Sequence, residues 1–307
     1  MIFTTIDELW EYTISKLLRS DSVGSRVGQT KEFIGYNATL KDINCTFLLN
    51  KRRKLSPAYA CSEIIWYLRN TKSIEMIKAY APQYEKFAEN GFAHGAYGYR
   101  IGSSAKEDQI RLLVEHLKEM PNSRQAIISL WNANDLWHSV RDKKGDLPCT
   151  LSLQFLIRNG QLHLINTMRS NDAWLGLPYD IFAFTCIQRL VADVLKIPAG
   201  SYTHQVGSMH LYKKNWAAAQ ESMSLESRPV KQPIKHNWDA NIPLRFELDI
   251  RRAIACEETF RAYRKTVIFP KNDMLRDIVL CCANKWIKNY YIKPVSEILQ
   301  DALERTK

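Results

Sequence analysis

The sequence predicts an α+β fold in which a large mixed β-sheet is flanked by helices. Segments whose apolar residues recur at helical spacing alternate with segments that have the shorter period of β-strands. Two strand-like segments are joined by Asn159-Gly160, a pair typical of a tight hairpin turn. Interleaved helices and hairpins favour a mixed or antiparallel sheet over a purely parallel one.

Helices are predicted where apolar residues recur every three or four positions. The opening helix shows the pattern most clearly, with one face made of Ile6, Leu9, Trp10, Thr13, Ile14 and Leu17. The predicted helices span residues 5–19, 58–70, 107–120, 179–196, 273–290 and 294–305. Pro121 stops the third and Pro198 ends the fourth, because proline cannot continue a helix.

Strands are predicted where the apolar period shortens and β-branched or aromatic residues gather. They lie in residues 31–40, 124–132, 149–170 (with the hairpin turn inside) and 243–255, and a further motif at 207–212 follows a turn. One catalytic domain is expected over residues 1–240. Residues 241–307 are expected to form a C-terminal strand and helical extension of that domain.

Composition and cysteine usage argue against several classes of protein. The 307 residues are 46% hydrophobic and 24% charged, and no stretch reaches the roughly 18 apolar residues of a membrane span. The acidic start MIFTTIDELWEY is unlike a secretory signal, so a cytoplasmic protein is expected. The seven cysteines are odd in number and lack CxxC spacing. This predicts mostly buried free thiols, with neither a disulfide framework nor a metal site.

Four motifs stand out in the middle of the chain: LPCT (147–150), MRSND (168–172), LGLPYD (175–180) and GSMHLY (207–212). Each alone has an ordinary explanation. Cys149 could be a core residue, Arg169 a surface salt-bridge partner, and Asp180 an acid at a helix N-terminus. Their order and spacing, however, resemble the thymidylate synthase family over about residues 5–220.

Several ordered fragments carry this resemblance. Pro148-Cys149, followed five residues after the cysteine by Gln154-Phe155, is similar to the family's nucleophile motif, and Arg169 to Asp172 to its phosphate motif. Upstream segments resemble the family's arginine loop, glutamate helix, tyrosine segment and second-subunit loop; they are SRVGQT (25–30), SEIIWYLRN (62–70), AYGYR (96–100) and NSRQ (122–125).

The resemblance implies covalent catalysis with Cys149 as the nucleophile. A thiolate that adds to C6 of a pyrimidine makes C5 reactive enough to attack the methylene of 5,10-methylenetetrahydrofolate, the expected co-substrate. Nearby arginines, Arg169 first, should lower the thiol pKa. Glu63 is implied as the residue that organises water and moves protons. No metal is implied.

Further residues receive roles by the same resemblance. The implied nucleotide contacts are Arg26, Arg124, Gln154, Arg169, Ser170, Asn171, Asp180, Tyr97, His210 and Tyr212, and the implied folate contacts are Asp172, Tyr84, Phe87 and Gly176. Family members are homodimers, so we expect a dimer that forms through the sheet, with Arg124 reaching the partner's site. Gln125 stands where the family has a second arginine, which puts one phosphate contact in doubt.

Four departures from the synthase pattern bear on the substrate. Asp180 replaces the asparagine that reads uracil, Thr150 replaces a histidine, and Ser208 replaces an aspartate. Instead of a short apolar tail, the chain ends in a charged, helical segment that would not keep water from the intermediate. The phage deoxycytidylate hydroxymethylases share the first three. An acid at 180 can read N3 and N4 of cytosine if its pKa is raised.

The resulting prediction is hydroxymethylation of dCMP, and a phage or prophage source would suit it. Three alternatives stay open. The first is a CMP hydroxymethylase of a nucleoside antibiotic pathway, and the second is a methyltransferase making dTMP or 5-methyl-dCMP. The third is an inactive paralogue that binds nucleic acid. A net charge of +11 allows the third, but the 43 basic residues are dispersed, and anionic nucleotides and folate also need positive potential. We therefore do not expect nucleic acid as a partner.

Overall fold

The structure, a computed structural model, describes residues 1–25, 28–102, 107–142, 146–224, 236, 238, 246–265, 268–287 and 293–306. Within these residues one mixed β-sheet of seven strands is flanked by helices. The strands are β1 (Ile2–Phe3), β2 (Ser22–Ser25), β3 (Gly28–Leu40), β4 (Ile127–Ser129), β5 (Thr150–Arg158), β6 (Gln161–Asp172) and β7 (Ala199–Tyr212). Their order is β1-β3-β7-β6-β5-β4, with β2 paired to β3. The predicted α+β class is confirmed.

Eleven α-helices lie in the described part of the chain. They are α1 (Ile6–Arg19), α2 (Pro57–Leu68), α3 (Glu75–Lys78), α4 (Tyr97–Gly102), α5 (Gln109–Glu119), α6 (Ala133–Arg141), α7 (Leu177–Leu195), α8 (Trp216–Ser222), α9 (Phe246–Tyr263), α10 (Asp273–Trp286) and α11 (Glu297–Glu304). Two 3₁₀ helices cover Pro82–Phe87 and Lys213–Asn215. None of the described helices is both long and apolar enough to cross a membrane.

The central strands carry the sheet and set the register of the motifs. β6 runs parallel to β7, and both have antiparallel neighbours, β5 and β3. The β5–β6 turn is the predicted Asn159-Gly160 pair, and both residues have positive φ, 51° and 72°, as a type I′ hairpin requires. The β6–β7 register places Asp172 beside His210, so the MRSND (168–172) and GSMHLY (207–212) motifs meet at one end of the sheet.

The core lies between the sheet and the apolar faces of α1, α2 and α7. Helix α1 begins with a capping box at Thr5 and Glu8, and its six predicted core residues are all buried. Helix α7 is buried over most of its length and packs on β6 and β7. Its burial fixes Asp180, in its first turn, against the sheet.

The strand predicted at 243–255 is wrong, because residues 246–263 form helix α9. The sequence alternates apolar and polar residues around Phe246, Leu248 and Ile250, which favours a strand locally. The buried residues instead follow helical spacing, at Asp249, Ala253, Cys256, Glu257 and Phe260. Packing of this stripe on α2 and α10 overrides the local pattern. Residues 243–245 lie outside the described residues.

Two other strands have different bounds from those predicted. The segment 124–132 contributes only the three residues of β4 at the edge of the sheet, and α6 follows it. In contrast, the GSMHLY motif at 207–212 does not follow a turn as predicted, because it is the end of the continuous strand β7, which begins at Ala199 and pairs along most of its length. Residues 288–290, the predicted end of α10, lie outside the described residues.

Candidate active site

Cys149 is the one half-buried cysteine of the chain, and the other six are buried, as predicted. It lies immediately before β5, and its carbonyl accepts a hydrogen bond from the backbone of Arg169 at 2.8 Å. The Ser170 hydroxyl lies 3.9 Å from Sγ. Gly95 packs against the preceding loop so closely that a Cβ there would be 3.0 Å from backbone atoms of Leu147 and Pro148. The thiol is thus held in a fixed loop.

The side chain of Arg169 supports this loop more than it activates the thiol. Its guanidinium donates to the carbonyls of Pro148 at 3.0 Å and Leu147 at 3.2 Å. Burial raises the pKa of Cys149, and the positive charge of Arg169 lowers it, as predicted, but by less. The net pKa is therefore raised in the free chain, although the effect of Arg169 has the predicted sign.

Glu63 is buried on α2 among tyrosine hydroxyls. Tyr59 and Tyr84 donate to its Oε1 at 2.9 and 2.8 Å, and Tyr67 hydrogen-bonds the same carboxylate. Burial raises the pKa of Glu63, while the three hydroxyls lower it. Tyr59, Glu63 and Tyr67 lie four residues apart in sequence, which places them on one face of the helix. The predicted burial of this acid is confirmed.

Asp180 lies near Glu63, and its carboxyl contacts β6. Asn171 Nδ2 donates to Asp180 Oδ2 at 2.6 Å. Burial, followed by repulsion from Glu63, raises the pKa of Asp180 to about 8, although the bond from Asn171 opposes this. The carboxyl therefore keeps its proton at neutral pH.

Asp172 and Gly176 form the turn between β6 and α7. Asp172 Oδ1 accepts from the backbone of Trp174 and Leu175 at 2.8 and 3.1 Å. Its Oδ2 is buried with no partner among the described residues, and burial raises its pKa. An unpartnered buried oxygen fits a ligand N–H, as a pterin ring would supply. No cluster of three or more metal-ligating side chains occurs in the described residues.

The remaining predicted site residues differ in how close they lie to the site around Cys149 and Asp172. Tyr97 is in the site, since its hydroxyl accepts from the backbone of Thr150 at 3.2 Å. His210 is also there, beside Asp172 in the register, with its ring 4.9 Å from that of Tyr212. Phe87 is 56% exposed and lies 6.3 Å from the ring of Tyr84.

Two predicted nucleotide contacts lie far from the thiol within one chain. Gln154 is five residues along β5 from Cys149, about 16 Å at strand rise. Its side chain donates to the carbonyl of Arg124 at 2.9 Å, which places Arg124 at the same remote position. Arg26 lies outside the described residues. The nucleotide-contact roles of all three remain predictions.

Several residues of the site were not predicted from the sequence. Tyr59 and Tyr67 could have been found from their helical spacing around Glu63. Ser208 hydrogen-bonds Glu32 of β3, so a carboxylate stands near the position where synthases have aspartate. Buried polar residues also lie behind Asp180, and the sequence marks them only as polar residues among the apolar buried positions of two strands: Asn166 on β6 and His204 on β7.

Comparisons with known proteins agree with this geometry. Curated relatives named thymidylate synthase from Bacillus phage phi3T and Bacillus subtilis subsp. natto, and thymidylate synthase 1 from Bacillus spizizenii, are each 32% identical over 158 residues. The match covers 49% of this chain and 55% of each relative, so the chain spans about half the length of these relatives.

A solved structure, thermostable thymidylate synthase A from Bacillus subtilis, has the same fold. It matches with a TM-score of 0.65 at 20% identity and covers 81% of this chain and 93% of its own. A family model described as thymidylate synthase matches residues 15–245, most of the sequence. The chain therefore belongs to the thymidylate synthase family.

Proposed function

We propose that this chain is a folate-dependent enzyme that hydroxymethylates C5 of a cytosine nucleotide, converting dCMP to 5-hydroxymethyl-dCMP. The observation that carries the proposal is Asp180, a carboxyl with a pKa of about 8 where synthases have the asparagine that reads uracil. An acid that keeps its proton can donate to N3 of cytosine, while its other oxygen accepts from the N4 amino group.

Covalent activation of the base uses Cys149 and Asp180 together. Sγ gives up its proton to solvent and bonds to C6, while Asp180 donates or shares a proton with N3, so that the π electrons of the C5–C6 bond move to C5. When bound, 5,10-methylenetetrahydrofolate supplies the one-carbon unit that C5 takes up. The neutral Asp180 matters because N3 must gain positive character before C6 accepts the thiolate.

Water then completes the hydroxymethyl group. Once C5 has taken up the one-carbon unit, it loses its proton, and the bond from that carbon to the folate nitrogen breaks with its electron pair going to the nitrogen. The nitrogen takes up a proton, so the folate would leave as tetrahydrofolate. Hydroxide from water then adds to the exocyclic methylene carbon, the water proton passes to Glu63, and the thiolate leaves C6 with its electron pair, with no oxidation or reduction. Glu63 suits this role because burial raises its pKa above that of an exposed carboxyl and three tyrosine hydroxyls hydrogen-bond it.

Binding of the 5′-phosphate and dimerisation are proposed as linked properties. Arg169 and Ser170 stand next to the thiol, whereas Arg124 is on a distant part of the same chain. A second copy packed on the sheet would allow Arg124 to reach the partner's site. On β6 and β7, half-buried residues alternate with the buried ones that face the helices, which leaves one sheet face available to a partner.

The test is to incubate the purified protein with methylenetetrahydrofolate and dCMP, CMP or dUMP, and to identify each product by mass. We expect a hydroxymethyl product from dCMP without dihydrofolate. The relatives named thymidylate synthase favour methylation as the second candidate. Formation of dihydrofolate would establish methylation instead, and preferential turnover of dUMP would contradict the role given to Asp180 in reading the base. Preference for CMP would leave the chemistry intact and change only the sugar.

A further inference from the structure

A chain of hydrogen bonds leads from Asp180 into the interior of the protein. Asn171 Nδ2 donates to Asp180 Oδ2 at 2.6 Å, and Asn171 Oδ1 lies 3.2 Å from His204 Nε2. The Tyr202 hydroxyl lies 2.8 Å from His204 Nδ1, and Asn166 Nδ2 donates to that hydroxyl at 2.9 Å. The four residues behind Asp180 are at most 4% exposed. None is used in the chemistry proposed above.

The donors and acceptors in this chain of hydrogen bonds can be assigned in one consistent direction, towards Asp180. Burial lowers the pKa of His204 to about 3, so the ring is neutral and has one donor and one acceptor nitrogen. Nδ1 faces the Tyr202 hydroxyl and also Asn166 Nδ2, at 3.3 Å, and is therefore the acceptor. Nε2 then donates to Asn171 Oδ1, which turns the amide of Asn171 towards Asp180.

We propose that Asn171, held by His204, is a positioning residue that occupies Oδ2 of Asp180 and leaves Oδ1 to carry the proton for the base. Asp180 Oδ1 has no hydrogen-bond partner among the described residues. This inference rests on the proposed function, because it specifies which oxygen of the acid reads N3. In the proposed contact, Oδ1–H donates to N3 and Oδ2 accepts from both Asn171 and the N4 amino group.

Gly176 provides a second geometric observation. A Cβ at this position would lie 2.9 Å from Asn171 Nδ2 and 3.1 Å from Asp180 Oδ2. The first distance is shorter than real Cβ contacts, so a side chain here would displace the pair. The absence of a side chain at 176 thus preserves the bond between Asn171 and Asp180.

The test measures kcat/KM for dCMP against pH in the full-length enzyme. A bond donated by Asn171 stabilises the carboxylate and lowers the pKa of Asp180, so Asn171→Ala should raise that pKa. The high-pH fall in kcat/KM should then move up by about one pH unit. The other titratable groups that face Asp180 stay in place; they are Glu63, Tyr67, Tyr97, Cys149, Asp172 and Tyr202.

Asn272→Ala is the matched control. Asn272 is also buried, and its Nδ2 donates to Asp193 Oδ2 at 3.1 Å. Asp193 is on the same helix as Asp180, thirteen residues further on, about 20 Å along the axis. This control removes a comparable buried bond, and its pH profile should match that of the wild type.

Two outcomes would overturn the proposal. An unmoved high-pH limb in Asn171→Ala would show that Asn171 is merely structural, and a downward shift would show that Asp180 donates to Asn171 instead. His204→Phe leaves Asn171 and Asp180 in place and should also shift the high-pH fall in kcat/KM to higher pH. This variant replaces Asn171→Ala in the test if Asn171→Ala does not fold. The wild-type product assay is read separately, since failure to hydroxymethylate dCMP contradicts the function, not the hydrogen-bond direction.

Discussion

Replacing Asp180 by asparagine should stabilise the folded protein at neutral and alkaline pH. Burial and repulsion from Glu63 raise the pKa of this carboxyl from 3.8 to about 8. The unfolded chain ionises the group near pH 4, while the folded chain holds the proton. The stability associated with the protonated group is therefore fully present below about pH 4 and is lost as the pH rises to 8.

The pKa difference sets the size of the effect. At pH 7 the gap to 3.8 is 3.2 pH units, which at 1.36 kcal/mol for each unit corresponds to about 4 kcal/mol of lost stability. At pH 5 the gap is 1.2 units, or about 1.6 kcal/mol. Asp180→Asn keeps the shape of the side chain and a partner for Asn171, but it has no proton to lose. The variant should therefore be more stable than the wild type by these amounts.

Urea unfolding at pH 5, 6, 7 and 8 and one protein concentration measures the difference in free energy between the two proteins. Asp193→Asn is the control, because Asp193 is likewise bonded to an asparagine but has a pKa of about 6. The stability gained by Asp193→Asn should level off above pH 6. The gain from Asp180→Asn should continue to grow until pH 8.

A gain from Asp180→Asn that is the same at pH 5 and pH 8 would refute the reasoning. It would mean that the folded protein holds Asp180 in the ionised form across this range. The carboxyl could then not donate to N3 of cytosine at neutral pH, and the support for a cytosine substrate would be lost. A gain that levels off at pH 6 would place the pKa lower and weaken the same support.

Three further predictions concern the groups around the base. Glu63→Gln should bind dCMP but lose about 10²- to 10⁴-fold in kcat, measured by single-turnover product formation; full activity would remove Glu63 from proton transfer. Tyr84→Phe removes a hydrogen-bond donor to the Glu63 carboxylate, so the pKa of Glu63 should rise and the acidic limb of the kcat–pH profile should move to higher pH. If only the KM for folate rises instead, Tyr84 is a folate contact. In Asp180→Asn, iodoacetamide should alkylate Cys149 faster than in the wild type at pH 8, because a neighbouring negative charge is removed. The control Asp193→Asn should react at the wild-type rate. Equal rates in the wild type and both variants would show that the charge of Asp180 does not affect the Cys149 thiol.

Local patterns in the sequence predict the fold wherever one element buries one regular face. The opening helix and the β5–β6 hairpin are predicted correctly because apolar spacing and the turn pair agree with the final packing. Helix α9 is mispredicted because its buried stripe includes Asp249 and Glu257, two acids that a hydropathy pattern assigns to solvent. Their burial depends on partners elsewhere in the chain, such as Tyr80, which donates to Glu257.

The motifs predict which residues gather around the thiol, but not the hydrogen-bond partners and protonation states of those residues. A sequence places Arg169 near Cys149 without showing that its guanidinium is bonded to loop carbonyls. Likewise, the neutral state of His204 depends on burial on all sides, which a single strand pattern does not reveal. Distances of side chains across the sheet come from tertiary packing, so these features appear only in the structure.

The raised pKa values of Cys149 and Asp180 have a common consequence for the order of events. A negative charge on Asp180 raises the pKa of Cys149, so an ionised acid would oppose formation of the thiolate. Protonation of Asp180 removes that opposition and, under the proposed function, also supplies the donor that N3 of cytosine needs. In that case one proton would serve both substrate recognition and nucleophile formation. An uncharged asparagine at 180 would allow the thiolate to form but could not transfer a proton to N3, so the proposal makes the choice of base depend on this residue rather than on Cys149.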